Sequence, residues 1–242
     1  TASGEWSGSK SVSGSESMSC LKQKAMQLAA TDLPILICGE SGTGKEGLAE
    51  FIHACSPRNG RALIKINCAA FPEHLLDNEL FGHEPGAYTG AESRFHGVFE
   101  RAHKGTLLMD EVADMSLQTQ AKILRALQNR EIRRIGGTEM IEVDVRFIAA
   151  TNQTISELIE EGRFREDLYY RLNTATLTLP PLRSRKEDIP LLTDFFLKEF
   201  SRNNEKSVAS ASDEVVAMFL AYDWPGNIRE LKNIVQFAAA VS

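Results

Sequence analysis

Long apolar runs, paired cysteines and basic blocks are all missing from this 242-residue sequence. No stretch approaches the ~18 consecutive apolar residues of a membrane span. The opening "TASGEWSGSKSVSGS" has no apolar core of the kind a secretory signal needs. The four cysteines, Cys20, Cys38, Cys55 and Cys68, lie far apart and form no C-x-x-C pair. That argues against a disulfide or zinc framework and fits reduced thiols in a cytoplasmic protein. His53, His74, His83, His96 and His103 show no metal-ligand spacing and read as structural or surface residues. Net charge is -6 with no basic arm, which argues against this chain being the part that grips nucleic acid. No internal repeat is evident.

What is present is a globular composition, 43% hydrophobic and 25% charged, in a chain long enough for one large core or a large and a small domain. "PILIC" (34–38) is a short apolar run ending in glycine, as buried parallel strands do. A helical pattern follows over 45–55. "ALIKIN" (62–67), "GTLLMD" (105–110), "VDVRFIAATN" (143–152) and "TATLTLP" (174–180) repeat the strand theme with helical stretches between them. This alternation predicts an α/β fold with a parallel sheet covered by helices on both faces. After Pro180 and Pro181 the pattern becomes helical only, over 186–200, 212–224 and 227–241.

"GESGTGK", Gly39, Glu40, Ser41, Gly42, Thr43, Gly44 and Lys45, follows a strand and opens a helix, matching G-x-x-x-x-G-K. Glycines let backbone N–H groups wrap phosphates, the helix N-terminus adds positive potential, and Lys45 reaches the outer phosphates. Glu46 stands where Ser or Thr usually ligates magnesium, so water, Glu46 or a carboxylate from elsewhere must hold the metal. Asp110 and Glu111 end a second buried strand, where α/β folds display ligand-binding groups. Asp110 is placed to hold Mg2+ and Glu111 to polarise an attacking water. Asn67 and Asn152 also end strands; each can position water or sense a γ-phosphate, or simply cap the segment that follows.

At this point the sequence resembles the central AAA+ ATPase domain of bacterial enhancer-binding proteins, the NtrC-like activators of sigma-54 RNA polymerase. The matching segments include "GESGTGKE", "NCAA", "ELFGHEPGAYTGA", "GTLLMDEV", "FREDLYYRL", "LPPLRSRKEDIPLL" and "WPGNIRELKN". In that family a phosphate loop ending in Lys-Glu is usual, which accounts for Glu46. The resemblance implies ATP and Mg2+ as cofactors and a hexamer or heptamer ring. It makes Arg165 and Arg171 arginine fingers for a neighbouring subunit, and six residues of helix between them leave the two about 120° apart on the helical wheel. It makes Arg229 a sensor in the helical lid, and Asn67 the switch partner of the catalytic glutamate. Residues 12–18 resemble a segment that packs against adenine.

Gly86, Ala87, Tyr88, Thr89, Gly90 and Ala91 read GAYTGA where the family has GAFTGA, the tip of a loop that touches sigma-54. Small residues let that loop rise and fold back, while Tyr88 and Thr89 make the contact. A second loop, 129–143, reads as a hairpin turning at Gly136 and Gly137; in the family it lies beside the first and helps couple it to the nucleotide, while its arginines read equally as a solvated face. The expected organisation is a linker or cloning remnant over 1–11, an α/β nucleotide-binding subdomain over 12–180 and a helical lid over 181–242. The family binds DNA through a C-terminal helix-turn-helix domain absent from this chain. Two other readings stay open: a regulatory module that binds nucleotide without remodelling sigma-54, and another AAA+ machine such as a translocase or unfoldase. The second calls for an aromatic-hydrophobic-glycine pore loop or a basic channel, and neither is obvious.

Overall fold

The computed structural model describes residues 14–204 and 210–241. The expected linker over 1–11, and residues 12 and 13 of the adenine-side segment, lie outside the described residues. Five parallel strands form the sheet in the order β2-β3-β6-β1-β7. They are β1 (Ile35–Cys38), β2 (Leu63–Asn67), β3 (Thr106–Asp110), β6 (Arg146–Thr151) and β7 (Ala175–Thr178). β4 (Glu131–Ile132) and β5 (Ile141–Glu142) make a separate antiparallel hairpin.

Apolar runs become buried strands because successive side chains enter different layers. Leu36, Leu107, Met109, Phe147 and Ala149 point into one layer, and Ile35, Ile37, Leu108, Ile148 and Ala150 into the other. The first layer is covered by α3 (Glu73–Phe81), α4 (Val98–Arg101), α5 (Leu117–Asn129), α6 (Ile155–Glu160) and α7 (Glu166–Leu172). The second is covered by α1 (Glu16–Ala29) and α2 (Lys45–Ala54). A core position such as Ile37 or Ile148, fully buried, stabilises the fold by about 1.5–3 kcal/mol relative to exposure. Parallel pairing brings all the strand C-termini to one edge, and Asn67 sits in register with Asp110.

Beyond β7 the chain is helical: α8 (Asp188–Asn204), α9 (Asp213–Ala221) and α10 (Asn227–Val241). They close around Leu182, Ile189, Leu192, Phe196, Trp224, Leu231 and Val235. The helix expected over 212–224 stops early, at Ala221. Pro225 disfavours helical backbone in the residue before it, and Trp224 turns left-handed, φ 51°, to bury its ring and donate Nε1–H to Phe219 O at 2.8 Å.

Candidate functional site

The phosphate loop joins β1 to α2, and its shape follows from its glycines: Gly39, Gly42 and Gly44 all have positive φ. Lys45, 6% exposed, folds back to donate from Nζ to Gly39 O (2.9 Å) and Glu40 O (3.3 Å). The Thr43 hydroxyl also donates to Glu40 O, at 2.8 Å. Lys45 lies 3.8 Å from Glu111 Oε1 across a cleft of ≈ 330 Å³. Asp110 lines the same cleft and accepts the Glu111 N–H at 3.0 Å.

Glu111 sits just past the end of β3 with a left-handed backbone, φ 52°. Its other carboxylate oxygen accepts the Asn152 N–H at 3.2 Å. Burial pushes the Glu111 carboxyl above its ordinary range; Lys45 opposes that shift and Asp110 adds to it. A carboxylate so placed has gained basicity while keeping a cation within reach. Asn152 thus meets Glu111 through its backbone. Asn67 uses its side-chain oxygen to accept the Ala69 N–H at 2.9 Å, the capping arrangement, rather than to engage Glu111. Glu46 is exposed and held by Lys65 at 2.8 Å, so of the two carboxylates considered for a metal Asp110 is the less encumbered.

The lid closes on this loop through contacts that sequence reasoning missed. Arg183 grips the Glu40 carboxylate with two bonds, 2.8 and 2.6 Å, and with Asn227 lowers that carboxyl to about 2. Asn227, buried and left-handed, accepts the Leu182 N–H at 2.7 Å and donates to Ser41 O at 3.0 Å. Arg229 Nη1 donates to Ser41 Oγ at 2.8 Å and lines the cleft. Within "LPPLRSRKED" and "WPGNIREL" only Arg229 had a role by pattern, because arginines that bond loop carbonyls leave no spacing signature.

The paired arginines require a correction. Arg165 is not on a helix: it caps α7 in extended conformation (φ -78°, ψ 128°) and pairs with Asp167 at 2.7 Å. Only Arg171 is helical, in the last turn of α7, donating to Leu127 O at 3.3 Å. The 120° relation therefore does not apply, because the chain enters the helix only after Arg165. Neither arginine lines the phosphate-loop cleft of its own chain.

The GAYTGA loop leaves the fold between α3 and α4. His83 and Phe95 pair antiparallel at its base, and Gly86 N–H donates to Ala91 O at 2.8 Å. Tyr88 is 48% exposed, its ring edge-on to His83 at 5.1 Å. The hairpin lies directly beside it: Glu84 N–H donates to Ile135 O at 3.0 Å, and a Cβ on Gly136 would meet Ala87 at 2.7 Å. Its arginines do not simply form a solvated face. Arg134 is 7% exposed and bonds Glu84 at the loop base and Glu100 on α4. For Glu100, burial alone would raise the carboxyl; the bonds from Arg134 and His96 outweigh it and lower it.

A phosphate-cradling loop between a buried parallel strand and a helix, an Asp-Glu pair at the end of β3 and a helical lid define an AAA+ ATPase. Within that class the chain belongs to the sigma-54 interaction domain family, whose model matches residues 12–178, and an AAA+ ATPase lid domain matches residues 183–242. Regulatory protein AtoC of Escherichia coli is 48% identical over 237 residues, covering 98% of this chain and 51% of AtoC. The nitrogen fixation protein AnfA of Azotobacter vinelandii is 47% identical over 231 residues, covering 96% of this chain and 43% of AnfA. The chain spans about half the length of the curated relatives it matches. Among solved structures, NtrX from Brucella abortus in complex with ADP superimposes with a TM-score of 0.90 at 39% identity, over 95% of this chain and 50% of NtrX. NtrX has also been solved with ATP. Hsp104, at 20% identity and a TM-score of 0.65, shares the fold alone. Among the described residues, no helix is long and apolar enough to cross a membrane.

Proposed function

We propose that this chain binds and hydrolyses ATP and uses the cycle to remodel sigma-54 through residues 86–91. The observation that carries the reading is the meeting of Lys45, Asp110, Glu111 and Arg229 in one cleft, with Tyr88 exposed on a separate loop. In the reaction the water oxygen bonds the γ-phosphorus, the bridging P–O bond breaks and ADP leaves. Glu111 takes the water's proton, Lys45 exchanges its loop carbonyls for phosphate oxygens, and Arg229 closes from the lid. Arg165 and Arg171 of an adjacent copy in a hexamer or heptamer ring stabilise the spread charge.

A Mg2+ ion would neutralise the β- and γ-oxygens. Among the described residues no three His, Cys, Asp or Glu side chains form a metal cage. Magnesium on a nucleotide needs only one or two carboxylates beside phosphate and water, and Asp110, with Glu46 lining the same cleft, fits that demand.

α5 supplies the mechanical link. It begins six residues after Glu111, past a short turn over Val112–Asp114, runs 13 residues and ends at the hairpin that flanks the GAYTGA loop. That is a rigid rod of about 20 Å. A change at Glu111 moves its near end, and the Arg134 bonds to Glu84 and Glu100 carry the displacement to the loop base. The whole protein is a cytoplasmic regulator that reaches DNA through a helix-turn-helix domain outside this chain.

Thr89→Ala tests the reading. It removes a hydroxyl and a methyl from an exposed tip, so stability should change by no more than ~0.5 kcal/mol. Hydrolysis should persist, while a native-gel shift of labelled sigma-54 with a transition-state analogue of ATP should disappear. An undiminished shift would separate the loop from sigma-54 binding.

A further inference from the structure

The phosphate loop is gripped by a second lid arginine whose contact is with backbone. Arg185, 2% exposed, donates from Nη2 to Thr43 O at 2.9 Å. Its guanidinium lies 3.8 Å from Asp188, which is fully buried. Asp188 is itself fixed by the start of α1: it accepts Gly14 N–H at 2.6 Å, Ser15 N–H at 3.0 Å and the Ser15 hydroxyl at 3.2 Å. One chain of contacts therefore runs from α1 through Asp188 and Arg185 to the phosphate loop.

This arrangement is costly as mere scaffolding. Arg185 Nε is buried without a hydrogen-bond partner, and burial pulls the guanidinium pKa down against the opposing charge of Asp188. An apolar residue would fill such a site with less desolvation. The cation lines the cleft that holds Lys45 and Glu111.

The peptide unit it grips explains the placement. A peptide bond is planar and trans, so its C=O and N–H point in opposite directions. Thr43 O and Gly44 N–H belong to the same unit. Gly44 has φ 104° and no Cβ, so on its Gly44 side no side chain resists rotation of that unit. We infer that Arg185 is a positioning residue: by holding Thr43 O it turns the Gly44 N–H toward the phosphates, without touching them. Seating of the lid thereby becomes a condition of tight phosphate binding. The inference rests on the nucleotide reading above.

Calorimetric titration of ATP and of adenosine into the parent chain, Arg185→Met and Arg185→Gln tests it. Methionine fills the space but donates nothing, whereas glutamine keeps a neutral N–H for Thr43 O. Arg185→Met should lose about tenfold in ATP affinity, the scale of one bond to a charged donor. Adenosine, which has no phosphate, should bind as before, and Arg185→Gln should recover most of the loss. Equal losses for ATP and adenosine, equal losses in Met and Gln, or unchanged ATP affinity would each overturn the inference. If Arg185→Met does not fold, Asp188→Asn decides. It keeps an acceptor for the α1 N–H groups but frees the guanidinium, so ATP affinity should fall severalfold; unchanged affinity overturns the inference. A parent chain that binds no ATP would remove the nucleotide reading itself, and this inference with it.

Discussion

The phosphate loop and the GAYTGA loop are both glycine-rich, yet they are held in opposite ways. In the phosphate loop every turn is occupied: a Cβ on Gly42 would lie 2.3 Å from Gly226 O and 3.2 Å from Arg229 Cβ. Arg183, Arg185, Asn227 and Arg229 bond it from the lid. The GAYTGA loop is tied to the rest of the fold at its base, by Arg134, the His83–Phe95 pair and the hairpin, while its tip bonds mainly to itself, Gly86 to Ala91 and Ala91 to Tyr88. At its tip a Cβ on Gly86 or Gly90 would meet nothing within 4 Å. Glycine in the first loop serves close approach; in the second it serves reversal of the chain with room to move. A site for phosphates must be preorganised; a tip whose glycines face open space carries no such demand.

The largest expected effect probes the two arginines proposed to complete the cleft from an adjacent copy. Arg165→Ala and Arg171→Ala should each lower hydrolysis by ~10³-fold or more, the scale of an arginine finger, with nucleotide binding retained. Mixing Arg171→Ala with Glu111→Gln should restore activity, because the interface joining an intact arginine to an intact glutamate is complete. Two inactive variants that stay inactive together, or a turnover per chain independent of protein concentration, would place the whole site within one chain.

How far the sequence alone reached differs between the two regions for the same reason. The parallel sheet was legible because "PILIC", "LLM" and "FIAA" are buried on both faces, which favours continuous apolar runs. Gly39, Gly42, Gly44, Lys45, Asp110 and Glu111 were legible as candidates because glycines and acids at strand ends have few structural reasons to be there. The lid latch was not. Arg183, Arg185 and Asn227 bond backbone and Glu40 over more than 140 positions of sequence, and no local period encodes such contacts. Arg165 was misplaced by continuing α7 backwards across its own cap. By sequence Arg134 reads equally as part of a coupling loop or of a solvated face, because its partners, Glu84 and Glu100, lie on other segments.

Glu111→Gln sharpens the comparison inside the cleft. Removing the base should lower hydrolysis by ~10²-fold or more while ATP still binds. The sign of the pH dependence follows from burial of the carboxyl. Its folded pKa is raised, so it takes up a proton at a higher pH than a free glutamate, and hydrolysis by the parent should fall with acidification from above the usual range. By linkage, the ionised carboxylate opposes folding as pH rises through that window, and the glutamine variant should lose this dependence. Near-normal turnover in Glu111→Gln, or an acidic limb that persists in it, would remove Glu111 as the base.

The smallest effect is expected at the tip, and it compares the two loops directly. Gly42 and Gly86 have nearly the same φ, 78° and 80°, so alanine meets left-handed strain at both. At Gly86 that strain is the whole cost, about 1–2 kcal/mol, because the Cβ enters open space. At Gly42 the Cβ also strikes a lid carbonyl, and strain plus overpacking should total roughly 3 kcal/mol. For a domain of this size each kcal/mol lowers Tm by about 2–4 °C, so the two variants should separate clearly in a thermal melt. Gly86→Ala should keep ATP affinity and hydrolysis, while Gly42→Ala should weaken ATP binding because the lid must retreat. Equal melting temperatures would mean that the lid yields to a new methyl without cost. The loops would then be held alike, and the contrast between a fixed cleft and a free tip would fail.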